Sequence, residues 1–156
     1  MKKKTLKSSK SDKKFSKDTS KVQNKECVNE RGRVIFSFCY MTSNPIHNFK
    51  YYKKADKNNE LLARQHLSQF LMELSSNTWM EIGKRRKDQK CGIDSIPYNR
   101  IVFSPVELSP SEDSKVFSFR FGNADSFRLL GIKEKDCPVL HIIGYDFNFS
   151  AYDHGS

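Results

Sequence analysis

The chain has 156 residues, 37% of them hydrophobic, enough for one domain with its own core. Its formal net charge is +10. No apolar run approaches the roughly 18–20 residues of a membrane span, and the start lacks the apolar stretch and small-residue cleavage site of a secretory leader, so a cytoplasmic protein is expected.

Residues 1–30 read as a lysine-rich tail and residues 31–156 as a single domain. The first 26 residues carry ten lysines against Asp12, Asp18 and Glu26, with Leu6, Phe15 and Val22 the only large apolar side chains after Met1. So little apolar surface does not offset the entropy of ordering a backbone, and the tail is expected to be disordered. It accounts for +7 of the charge, leaving +3 for residues 27–156. Electrostatic attraction to nucleic acid or anionic lipid is one role for such an arm; solubility alone is the other.

Beyond the tail, Arg33 to Met41 is rich in β-branched and aromatic residues and stops at the turn formers Thr42-Ser43-Asn44-Pro45, the pattern of a first strand. His47 to Ala55 fits either helix or strand. From Asn58 to Leu74 the period changes to 3.6: Leu62, Ala63, Leu67, Phe70, Leu71 and Leu74 share a stripe, with Asn58 or Asn59 as N-cap. A second helix opens at Thr78-Trp79-Met80-Glu81, which has capping-box spacing, and ends before Cys91-Gly92, where glycine is suited to the left-handed conformation. Four strand-like segments follow, Ile96–Phe103, Lys115–Phe121, Phe127–Ile132 and Val139–Phe149, separated by turn chemistry. The expected class is α+β, order β-α-α-β-β-β(-β), with a helical hairpin packed on one face of a mostly antiparallel sheet.

Alternation along Lys115–Phe121 puts Phe117, Phe119 and Phe121 on one face and Arg120 on the other; along the next strand Arg128 lies opposite Phe127 and Leu129. Two guanidiniums from neighbouring strands suit phosphate, because arginine keeps its charge and its planar fork matches two oxygens. The plainer reading is a strand arginine paired to a carboxylate. Lys84, Arg85, Arg86, Lys87 and Lys90 form a second basic cluster, which either complements the helix C-terminus or extends an RNA-binding groove, with Tyr98 or Tyr152 to stack on a base. Tyr152, Asp153 and His154 are groups able to move protons. His141 reads as a hydrogen-bonded strand histidine on the face of Val139, Ile143 and Tyr145. Cys27, Cys39, Cys91 and Cys137 include no CxxC pair, and Cys39 and Cys137 sit in or beside apolar runs as small hydrophobes. No metal site and no cofactor are expected.

The element order and the phrase Phe119-Arg120 … Phe127-Arg128-Leu129-Leu130 resemble the RelE/ParE toxin superfamily, including HigB-like mRNA interferases. The resemblance implies a small α+β domain that enters the ribosomal A site and cuts mRNA. It implies phosphate or transition-state roles for Arg120 and Arg128, and a base or acid role for Tyr152 or His154. The sequence departs from that pattern at Asp146, where many members are basic, and in its tail. The expected function is a toxin-like, metal-independent endoribonuclease acting through 2′-hydroxyl attack on mRNA, including ribosome-bound mRNA, with a neutralising antitoxin partner and no membrane association. The alternative is a non-catalytic nucleic-acid-binding or regulatory protein of a mobile element, anchored by its tail and basic patch; a protein-binding sheet is a third reading.

Overall fold

A computed structural model describes residues 32–54, 57–122 and 127–153. The tail at 1–30 and His154 lie outside the described residues.

The fold is α+β: one five-stranded, mostly antiparallel sheet with a helix packed against it. Its strands are β1 (Ile35–Ser37), β2 (Ile93–Pro97), β3 (Lys115–Phe121), β4 (Phe127–Lys133) and β5 (Val139–Asp146). The spatial order is β1-β5-β4-β3-β2, with β1 parallel to β5 and every other pairing antiparallel. Strand β1 is shorter than its composition suggests because the chain turns at once: Met41 N–H donates to Phe38 O (3.2 Å), and Thr42 N–H then donates to Ile143 O (2.8 Å). Two 3₁₀ turns, Pro45–His47 and Phe49–Lys54, follow; the Asn44 side chain caps the first by accepting from Ile46 N–H at 3.0 Å.

The long helix α1 spans Lys57–Ser75, so Asn58 and Asn59, the expected caps, lie within its first turn. Ala63, Leu67, Phe70 and Leu74 make its buried stripe, as the 3.6 period requires, and Leu71 packs beside them; Leu62 at the margin is exposed. Helix α2 covers only Trp79–Gly83. Its capping box is complete: Glu81 N–H donates to Thr78 Oγ1 (3.2 Å) and Thr78 N–H donates to Glu81 Oε2 (2.7 Å), which holds the Glu81 carboxyl below its ordinary range. The expected helix up to Cys91 is replaced after Gly83 by successive turns, so α2 is a single capped turn and not a full arm of a hairpin. Gly92 is not the left-handed residue. Cys91 takes that conformation (φ 56°), and a Cβ on Gly92 would lie 2.0 Å from Arg86 O. Close backbone approach, and not positive φ, demands glycine there.

The sheet is covered on both faces. Phe119, Phe121, Leu129, Leu140, Ile142 and Tyr145 pack under α1, while Ile96, Val116, Leu130 and Ile143 face a smaller core closed by Phe103, Ala151 and Tyr152. This second core explains why the strand expected at Ile96–Phe103 lies earlier, at Ile93–Pro97. The chain leaves the sheet through a 3₁₀ turn, Tyr98–Arg100, and folds over it, Val102 N–H donating to Ala151 O at 3.0 Å. Ile101 and Phe103 therefore serve as a lid.

Candidate functional site

Arg120 of β3 and Arg128 of β4 are direct partners across one rung, and Arg128 is in turn opposite Asp146 of β5. A bulge makes this row. The β4–β5 register slips at Leu130/Gly131, after which Tyr145 points into the helix-side core and Asp146 falls on the arginine face. The face expected for His141, Val139, Ile143 and Tyr145 is broken by the same slip: Ile143 joins the second core and Tyr145 the first. The sequence, apolar at 139, 140, 142, 143 and 145, follows no strict alternation and does not locate the slip.

The two arginines differ. Arg128 is buried; its Nη1 donates to Phe127 O (3.0 Å), its guanidinium lies 5.0 Å from the Phe149 ring centroid, and it stands beside an Asp146 that is only 1% exposed. Asp146 is itself fixed by Ser150 N–H, donated to Oδ1 at 2.9 Å. Arg128 thus matches the strand arginine next to a carboxylate. Arg120 is half-buried and makes no hydrogen bond or ion pair with the described residues.

Both guanidiniums line a cavity of about 390 Å³, together with Lys87 from the turn after α2 and Arg100 from the turn after β2. Its walls also carry Asp94, Asp153, Ser118 and Tyr152. Four cations against two carboxylates leave the space positive. Tyr152 is buried, its hydroxyl 3.0 Å from Ser118 Oγ; Arg100 Nη2 donates to Asp153 O at 3.0 Å. Three expected site residues, Arg120, Arg128 and Tyr152, therefore meet, and Lys87 joins them. Tyr98 packs against the second core and does not line the cavity. Arg100 and Asp94 had no local signal in the sequence, since only the lid and the β2–β3 pairing bring them in, whereas Ser118 shares the face of Arg120 through the alternation of β3.

The rest of the basic cluster is dispersed. Arg85 donates to Asn77 Oδ1 and to Lys90 O (2.9 Å), Arg86 pairs with Asp88 (3.1 Å), and Lys90 pairs with Glu73, which raises the Lys90 pKa. Lys84 caps α2 with its backbone. These contacts assign Arg85, Arg86 and Lys90 structural partners, and only Lys87 of the five lines the arginine cavity.

Other titratable groups are occupied elsewhere. His47 is buried, 3.3 Å from Tyr145 O through Nδ1 and stacked on Phe103; burial pushes its pKa down, against smaller opposing effects of that hydrogen bond and of Asp146. Among the described cysteines Cys91 is the buried one, its thiol pushed up to about 11 by burial, whereas Cys39 is exposed and contacts Ser37 Oγ (2.9 Å) and His141 Nδ1 (4.0 Å). Among the described residues no three His, Cys, Asp or Glu side chains converge as metal ligands would, and no helix is long and apolar enough to cross a membrane. Comparison with protein-family models, with curated proteins and with solved structures finds no match.

Proposed function

We propose that the protein is a metal-independent endoribonuclease that takes a phosphodiester of single-stranded mRNA into the arginine cavity and cleaves it by attack of the neighbouring 2′-hydroxyl. One observation carries this reading: Arg120, half-buried and without an ion-pair partner among the described residues, faces a second arginine across the same rung. Like charges placed directly opposite on a sheet are unfavourable unless an anion sits between or above them. Lys87 and Arg100 add charge around the same space. The reaction requires a base for the 2′-hydroxyl, an acid for the leaving 5′-oxygen and cations around the pentavalent phosphorus. Arg120 and Lys87 are assigned to the phosphate, Arg128 to the fixed back wall, and Tyr152 or His154 to proton transfer. Ribosome-bound mRNA in the cytoplasm is the proposed substrate, and an acidic antitoxin covering the cavity the proposed partner.

The test is incubation of the full chain with RNA in the presence of a chelator. Products ending in 2′,3′-cyclic phosphate are expected, with cleavage by Arg120→Ala reduced about 10²-fold or more. Intact RNA with the wild-type chain, or equal cleavage by both, overturns the reading. The hydrogen bond between Tyr152 and Ser118 and the burial of Arg128 beside Asp146 favour a second one, a non-catalytic RNA-binding protein. It predicts salt-sensitive retention of RNA without cleavage.

A further inference from the structure

On the far side of Arg120 lies a second hollow, of about 210 Å³, bordered by His66, Gln69 and Glu73 of α1, by Lys90 and by Gly122. Arg120 borders both spaces. The polar atom that marks the hollow is His66 Nδ1, which is buried and has no hydrogen-bond partner among the described residues. A buried, unsatisfied ring nitrogen costs about 1–3 kcal/mol and signals a group that completes it. Gly122 keeps the space beside it open: with φ +89° it carries no Cβ, and a Cβ there would lie 3.5 Å from His66 Nδ1 and 2.6 Å from Phe127 Cδ2.

We propose that this hollow is a second phosphate subsite, occupied by the next phosphate of the RNA strand whose scissile linkage sits in the arginine cavity. The inference rests on the RNA reading of that cavity. Three groups able to donate to phosphate oxygen, His66, Lys90 and Arg120, border a space in which the single carboxylate, Glu73, is already held by Lys90. A nucleobase is a poor fit. The two aromatic rings of the hollow, Phe70 and Phe121, stack on each other at 5.7 Å and are 6% and 3% exposed, so neither offers a free face. Arg120 acts as the shared wall, contacting consecutive phosphates.

The experiment measures binding of the full chain to 2′-O-methyl UpU, with one phosphate, and 2′-O-methyl UpUpU, with two; neither can be cleaved through the 2′ position. The second ligand should bind the wild-type chain about tenfold more tightly, the size of one charge-assisted hydrogen bond. His66→Ala should remove that ratio and leave UpU affinity unchanged, whereas His66→Asn, which retains a donor near the Nδ1 position, should restore most of it. The His66 ring ¹⁵N resonances should shift with UpUpU and not with UpU. Equal affinities in the wild-type chain while UpU binds, or a ratio untouched by His66→Ala, overturn the subsite alone. Failure of the wild-type chain to bind either ligand overturns the arginine-cavity reading as well. A melting temperature in His66→Ala no lower than that of the wild-type chain, expected because a buried unsatisfied nitrogen is removed, keeps the comparison free of unfolding.

Discussion

Arg120 stands opposite Arg128 and makes no ion pair among the described residues, so on the proposed function its removal should separate stability from binding. Arg120→Ala is expected to unfold at equal or higher urea than the wild-type chain, gaining about 0.2–1 kcal/mol from relief of the cross-strand like-charge pair. Loss of stability beyond that range in the denaturation curve would assign Arg120 a structural partner. Gly92 makes the opposite case. Its substitution by alanine places Cβ against a carbonyl oxygen of the backbone, which cannot swing aside as a side chain can. Gly92→Ala should cost about 1–3 kcal/mol in the same assay. Because this turn also presents Lys87, RNA affinity should fall with it.

The capping box of α2 is the clearest case of an element written in four consecutive residues. Thr78→Ala should cost about 1 kcal/mol, read as a lower denaturation midpoint with unchanged slope. Elements of that kind are legible in the sequence because their energetics are local: the stripe of α1 and the alternation of β3 and β4 follow from side-chain period alone, and the same period puts Arg120 and Arg128 on one face. Where distant contacts decide, the sequence is silent. Val34 is buried and Arg33 makes only an isolated bridge to Thr78, so the apolar stretch around β1 is longer than the strand. Ile101 and Phe103 have strand composition because they must be apolar to cover Leu130 and Ile143, not because they pair in the sheet. Tyr152 draws notice in the sequence for its hydroxyl, yet its ring also closes that lid.

For the molecule as a whole, both faces of the sheet depend on the segment from His47 to Phe49: Phe49 packs on Tyr145 and Phe147 of the helix-side core, and His47 stacks on Phe103 of the lid. This gives stability a pH dependence with a defined sign. The folded His47 has a pKa below its ordinary 6.5 because burial disfavours the imidazolium. The unfolded chain therefore binds the extra proton first, and the contribution of neutral His47, complete above about pH 6.5, is lost as pH falls through that value toward the folded pKa. Melting temperature should drop between about pH 7.5 and 5.5, and His47→Gln should lessen that slope. A slope identical in the variant would mean that other groups set it.

Strand β5 sits between β1 and β4, although in chain order it follows both. A polypeptide that stops short of Val139 has the antiparallel meander of β2, β3 and β4 but no strand for β1 to pair with, only the Arg33–Thr78 bridge beside it, and it lacks the cavity wall that carries Phe149, Tyr152 and Asp153. During synthesis the cationic cavity consequently stays open on one side until the fifth strand inserts and the residues after it take their place.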